Sequence, residues 1–381
     1  MKILFVSIVD IKKSAPNRPH HFIQYLSKKH EITAICLNDW WKGNQVNADI
    51  YFENFESCRD SIDIHYITER KISPILQELF SPQLIDITNL DDFDVIFNYN
   101  TLRSGNYLAK KLNIPMVYDI ADDLPSMVAD SPQIPSIFRG AGKWFGEKMV
   151  QSTIRNSRAV SATSGAFQEM YSIPCEKFNV IPNGVDTSLF SKVESSIRRD
   201  LRLESTFVLG YVGVLREWVD LTQLYQVLKK IDNTVLLVVG QEGLYHENQE
   251  LAKKYGVQEK VIFTGNVPYT RVPDYIAAMD VCLIPFKNND ISHNAVPLKL
   301  FEYMACEKPV ISTNLQGVKN IVGEQILYAN SVDEYLSQIN LIKSRYCSDN
   351  LYKMREFVLQ NYTWERIGEN LNKILEKKYH D

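Results

Sequence analysis

Residues 297–313 read Pro-Leu-Lys-Leu-Phe-Glu-Tyr-Met-Ala-Cys-Glu-Lys-Pro-Val-Ile-Ser-Thr. Pro297 suits the first position of a helix, where its missing N–H is no loss. Leu298, Phe301 and Ala305 then recur at i, i+3 and i+7, the spacing of a buried face. Lys299 and Glu302 lie three apart and share another face near the helix start. A helix N-terminus with a lysine in its first turn attracts phosphate. A carboxylate one turn deeper accepts hydrogen bonds from vicinal hydroxyls such as those of a ribose. After Pro309, the β-branched run Val310–Thr313 reads as a buried strand. The plainer reading of the fragment is an ordinary helix of an α/β domain with an exposed Lys/Glu pair.

Outward from this stretch, apolar runs of strand length alternate with helical patterns. Strands are predicted at 2–8, 31–37, 94–99, 115–120, 159–163 and around 180–181. In the second half they fall at 207–213, 234–239, 260–264, 281–286, 310–313 and 325–328. Helices are predicted over 18–29, 104–112, 219–231, 246–255, 271–278, 298–305, 317–322, 331–345, 349–360 and 364–378. Leu221, Leu224, Leu228 and Ile231 mark the buried stripe of one; Trp364, Ile367, Leu371 and Ile374 mark the last, with Thr363 as its N-cap. Residues 40–90 show no clean periodicity, and Trp40, Trp41 and several prolines suggest irregular excursions. Such alternation implies doubly wound parallel sheets, and 381 residues suffice for two domains, each with its own core.

A net charge of −4 argues against a dedicated nucleic-acid binder. The six cysteines are scattered with no Cys-x-x-Cys pair, so reduced thiols in a cytoplasmic protein are expected and no metal cluster is visible. The apolar start, Lys2 to Val9, is short and followed by Asp10 and Lys12; it reads as a first strand and not as a signal peptide. No apolar run nears the roughly 18 residues of a membrane span.

Three further strings occur in order with the first: Val180-Ile181-Pro182-Asn183-Gly184-Val185-Asp186 followed by Phe190; Leu209-Gly210-Tyr211-Val212-Gly213 followed by Arg216-Glu217-Trp218-Val219-Asp220; and Val261-Ile262-Phe263-Thr264-Gly265-Asn266-Val267. Together these resemble the retaining family-four glycosyltransferases of GT-B fold, nearest in style to teichuronic-acid-type transferases. The resemblance covers the C-terminal half; the N-terminal half is similar mainly in its pattern of elements. It implies two Rossmann-like domains facing a cleft, with a C-terminal helix crossing back to the first. The expected domains are 1–185 on the acceptor side, joined by about 363–381, and 186–362 for the nucleotide sugar.

On the donor side, Gly213 is placed for close backbone approach to a phosphate. Arg216 is expected to pair with the diphosphate through a bidentate guanidinium, or, more plainly, with Glu217 on the surface. Asn266 and Val267 would contact the nucleobase. Pro297, Leu298 and Lys299 would receive the diphosphate, and Glu302 the ribose. The family's usual pair of glutamates eight positions apart becomes Asn294 and Glu302 here, a departure at the first position. Many relatives also carry Arg directly after the first glycine and Lys soon after; this chain has Val214 and no matching lysine, so Lys299 is the compensating charge. Asp290, His293 and Asn294 lie in the loop expected to face the transferred sugar. Gly240-Gln241-Glu242-Gly243 reads as a turn and not a dinucleotide fingerprint.

On the acceptor side, Asp119, Asp122 and Asp123 crowd the end of a strand. Three carboxylates there need cations or hydrogen-bond donors, or else cap the next helix. Asp122 is the candidate beside the reacting carbon. Asn98 and Asn100 end a neighbouring strand, and Arg18 and His20 take the place of a glycine pair found in many relatives. Between 136 and 158 five basic residues and one acidic residue interleave with Ile137, Phe138, Trp144, Phe145, Met149 and Val150. This suits either a peripheral contact with the inner membrane face or a packed helix with a solvated basic side.

The resemblance implies transfer of a sugar from a nucleotide diphosphate sugar to a hydroxyl of a glycan or lipid-linked acceptor, with retention and without a metal, in bacterial cell-surface polysaccharide synthesis. Asp122, Arg216 and Lys299 would act at the reacting centre. The rivals are a sugar-nucleotide-binding or scaffolding pseudoenzyme, motivated by Asn294 and the missing Arg/Lys pair, and another two-Rossmann enzyme such as an epimerase. A nicotinamide dehydrogenase is disfavoured because no Gly-x-Gly-x-x-Gly follows a strand.

Overall fold

The computed structural model describes residues 1–14, 16–40, 62–88, 90, 92–130, 135–345 and 348–380. Two compact units emerge: Met1–Asn183 with Trp364–Asp381, and Gly184–Thr363. Each is a parallel sheet covered by helices, and together with the returning C-terminal helix they have the elements of a GT-B architecture.

In the first unit the strands are β1 (Lys2–Ser7), β2 (Glu31–Cys36), β3 (Asp63–Tyr66), β4 (Val95–Tyr99), β5 (Met116–Ile120), β6 (Ala159–Ala162) and β7 (Phe178–Val180). They pair in the order β3-β2-β1-β4-β5-β6-β7. β1 lies between β2 and β4, with Val6 opposite Ile35 and Asn98. Ile3, Leu4, Phe5 and Val6 are all fully buried, as expected of a central strand covered on both faces. β3 was not legible in advance. It is the sheet edge, and Asp63 and His65 are exposed while Ile64 and Tyr66 are half-buried, so no apolar run marks it. Trp41 lies outside the described residues.

The last helix, Trp364–His380, packs on helix Arg18–Leu26 within this unit. Trp364 stacks on His21 at 4.4 Å and meets Phe22 edge-on at 5.8 Å. A Cβ on Gly368 would lie 2.4 Å from Tyr25 Cγ, so the two backbones approach where only glycine fits. The buried stripe is Trp364, Ile367, Leu371 and Leu375; Leu375 takes the place expected of Ile374, which is only half-buried.

The second unit orders β8 (Phe207–Val212), β9 (Thr234–Val239), β10 (Val261–Phe263), β11 (Val281–Ile284), β12 (Val310–Ser312) and β13 (Leu327–Tyr328) as β10-β9-β8-β11-β12-β13. Its core is continuous from Val185 to Val358. Helix Leu298–Ala305 is buried on nearly every side: Leu300, Phe301, Tyr303, Met304 and Ala305 are all inaccessible. The i, i+3, i+7 stripe understated this, and Leu298, assigned to the buried face, is half-exposed at the helix start. Pro297 is the N-cap and not the first helical residue, with extended backbone (φ −72°, ψ 143°).

Among the described residues no helix is long and apolar enough to cross a membrane, and Cys36, Cys175, Cys282 and Cys306 are free thiols.

Candidate active site

In the second unit the strand order reverses between β8 and β11. Ligands of open parallel sheets bind beyond the carboxyl ends of strands at such a reversal. The backbone there is built on glycine. Gly213, just past β8, has φ +120°, and Gly240, past β9, has φ +131°. A Cβ on Gly240 would sit 2.7 Å from the Gly213 carbonyl oxygen. Gly213 N–H donates to the Val239 carbonyl at 2.8 Å, and Gly240 N–H to the Gly265 carbonyl at 3.1 Å. Three strand ends are thus drawn together by residues that L side chains would force apart.

Lys299 reaches into this row. A Cβ on Gly213 would lie 2.9 Å from its Nζ. The ammonium sits 3.9 Å from the centroid of the Tyr211 ring and 5.6 Å from that of Phe286, a cation–π setting. Among the described residues it has no ion-pair partner. Burial pushes its pKa down to about 7, with the Glu302 charge opposing. The helix that carries it, Leu298–Ala305, has no side-chain cap on its N-terminus. Its first amides and its dipole are therefore left for an anion from elsewhere.

Glu302 is buried one turn further on. Its pKa is raised to about 7 by burial, against the lowering effects of a hydrogen bond from Tyr269 and of Lys299. Tyr269 Oη donates to Oε1 at 2.9 Å. The other oxygen, Oε2, accepts from no described residue. Tyr269, Tyr211 and Phe286 were not singled out from sequence. The cue was faint: aromatic residues near glycine-ended strands are common, and only the fold brings these three to Lys299 and Glu302.

Arg216 is exposed and makes no ion pair with Glu217 among the described residues. The 214–220 loop is held by backbone bonds: Asp220 N–H to Pro285 O and Lys287 N–H to Trp218 O. Asn266 is exposed and Val267 half-buried beside Gly265. His293 Nδ1 lies 3.0 Å from Asn288 Oδ1. Asn294 ends the short helix Asp290–His293, and its carbonyl lies against Gly317, where a Cβ would come within 2.4 Å.

In the first unit the order reverses between β1 and β4, but most of the expected acceptor residues serve the fold. Arg18 is 2% exposed. Nε and Nη2 make a two-point bond to Asp119, each at 2.8 Å, and the remaining N–H groups reach Ile181 O, Pro182 O and Asn183 Oδ1. All five donors are used internally, which corrects its assignment to a ligand. His20 is likewise turned inward, with Nε2 3.0 Å from Ile11 O, and its Nδ1, 3.3 Å from Asn17 N, closes a capping box at the start of its helix. Asn98 is fully buried; its Oδ1 accepts from Thr101 N–H and Oγ1, and Gly105 packs directly on it. The three aspartates divide: Asp119 pairs with Arg18 and Ser161, and Asp123 accepts from Tyr171 at 2.8 Å and from Ser126 N–H. Asp122 alone is exposed at the end of β5.

Residues 193–355 match the profile of glycosyl transferases group 1. Over 205 residues the chain is 25% identical to a putative teichuronic acid biosynthesis glycosyltransferase of Bacillus subtilis, covering 52% of this chain and 50% of that protein. Over 254 residues it is 23% identical to a D-inositol 3-phosphate glycosyltransferase of Xylanimonas cellulosilytica, covering 61% and 58%. The alignments thus span about half the length of these curated relatives. Among solved structures, Anabaena Alr3699/HepE in complex with UDP and glucose superposes with a TM-score of 0.75 at 18% identity, covering 99% of this chain and all of that one. Sucrose-phosphate synthase from Thermosynechococcus elongatus gives 0.76 at 15% identity, covering 100% and 99%. The second unit thus carries the glycosyl transferases group 1 profile, and the chain has the fold of the solved structures on which it superposes.

Proposed function

We propose that the chain moves a sugar from a nucleotide diphosphate sugar to a hydroxyl of a glycan or lipid-linked acceptor, with retention, in bacterial cell-surface polysaccharide synthesis. The supporting observation is the Lys299 ammonium held over Gly213 beside an uncapped helix start. In that position it meets the negative charge that develops on a departing diphosphate. The amides of Leu298 and Lys299 add to the same field, and Arg216, exposed on the preceding loop, is free to fold onto the phosphates. Glu302 holds the ribose, Asn266 and Val267 flank the base, and His293 and Asn294 face the sugar. Asp122 is the carboxylate proposed for the reacting centre. With the diphosphate charge met by side chains and amides, turnover requires no divalent metal.

Purified protein should show a melting shift with one class among UDP-sugars, GDP-sugars and NAD, and mass analysis should then find a glycosylated product. Lys299→Gln should remove the shift; a shift of wild-type size in that variant would disprove the assigned pocket. EDTA should leave turnover unchanged. The asparagine at 294 motivates a second reading, a binding protein without turnover, and any donor hydrolysis or transfer by pure protein excludes it.

The finer reading of location is a cytoplasmic protein resting on the inner membrane face. Helix Arg139–Asn156 buries Gly146, Val150, Thr153 and Ile154. It leaves Trp144, Phe145, Lys148 and Arg155 exposed on the other side, with Ile137 and Phe138 exposed just before it. Aromatic and basic residues on one face suit the headgroup boundary of an anionic bilayer. Co-sedimentation with phosphatidylglycerol vesicles, weakened by Trp144→Ser with Phe145→Ser, tests this.

A further inference from the structure

We infer that Tyr269 is a positioning residue of the donor site, holding Glu302 so that one carboxylate oxygen faces the ribose. This role rests on the proposed donor reading. Tyr269 comes from the turn after β10, thirty-three residues before Glu302, and donates its hydroxyl proton to Oε1 at 2.9 Å. Its ring is fixed by an edge contact with Phe190 at 5.4 Å. Phe190 is fully buried in the core of the same unit, so the phenol is braced by the fold. Oε2 remains without a protein donor among the described residues.

A buried carboxylate with both oxygens unfilled would rotate about its last torsion, a soft and roughly two-fold degree of freedom. With Oε1 pinned, Oε2 has one direction. It then accepts from a hydroxyl presented by a ligand seated with its phosphates at Lys299. The bond also favours the ionised form of Glu302 against the burial that opposes it. An ionised acceptor makes a stronger hydrogen bond to a hydroxyl than a neutral one.

Tyr269→Phe removes the hydroxyl while retaining the ring and its packing on Phe190. The test titrates full-length wild type and variant calorimetrically with UDP and GDP and with their 2′-deoxy and 3′-deoxy forms. Wild type should prefer the ribose form of whichever nucleotide it binds. The variant should bind that form about tenfold more weakly, the loss expected for a hydrogen bond to a charged group. Its affinity for the deoxy form lacking the contacted hydroxyl should be nearly unchanged. The low-pH limit of binding should also move to higher pH, because Glu302 loses a bond that stabilises its charge. In turnover the change should fall on donor KM and leave kcat within about twofold. Equal losses for ribose and deoxy forms, or none, would overturn the role of Tyr269 while leaving the donor site standing. Binding of neither nucleotide by wild type would overturn the donor reading and this role with it.

Discussion

Gly213 and Lys299 constrain one another closely. Gly213→Ala places a methyl group at φ +120° and within 2.9 Å of the Lys299 amine. It should destabilise by about 1–2 kcal/mol in urea unfolding and reduce nucleotide binding by displacing that amine. The pH dependence of binding follows from the same pair. Lys299 is held down to about 7 by burial, so its positive charge is present below neutrality and lost as pH rises. Affinity for a nucleoside diphosphate should therefore fall from pH 7 to pH 9. On the acid side, Glu302 is raised to about 7 and loses its charge as pH falls. Calorimetry across pH measures both limbs. The sequence made Lys299 and Glu302 legible because their spacing places both on one short helix. Arg18, His20 and Asn98 misled because the groups that occupy them are set by the fold: Asp119 lies 101 residues from Arg18.

At the scale of elements, the alternating pattern of strands and helices was readable wherever a strand is buried on both faces, as in β1 and β8. β3 escaped notice because an edge strand needs no apolar run. The short helices Pro74–Leu79 and Ser81–Leu84 escaped because two turns leave too little periodicity to detect. They matter nonetheless: Glu78, at the end of the first, accepts from Ser104 Oγ at 2.6 Å and Arg103 N–H at 2.7 Å, and so caps helix Ser104–Leu112 from outside. Glu78→Ala should cost about 1–3 kcal/mol, since it orphans buried donors at that helix start. Arg18→Met should cost more, about 3–5 kcal/mol, because Asp119 would remain fully buried without its cation. Chemical denaturation of both variants, compared with wild type, ranks them.

For the whole chain, helix Arg18–Leu26 and helix Trp364–His380 form a long-range association, more than 300 residues apart in sequence. Gly368→Val should prevent their close approach at Tyr25. The expected result is a melting temperature lower by several degrees and faster proteolysis of the first unit, with the second retaining its protection. The return of this helix was foreseen only through resemblance, since an amphipathic stripe states that a helix packs and not where. Its placement has a consequence for synthesis. The ribosome delivers Gly184–Thr363 as one uninterrupted stretch, whereas the other unit gains its returning helix only after that whole stretch has been made. A chain truncated after residue 363 should therefore hold a folded second unit tethered to an unsealed first one, a substrate for chaperones.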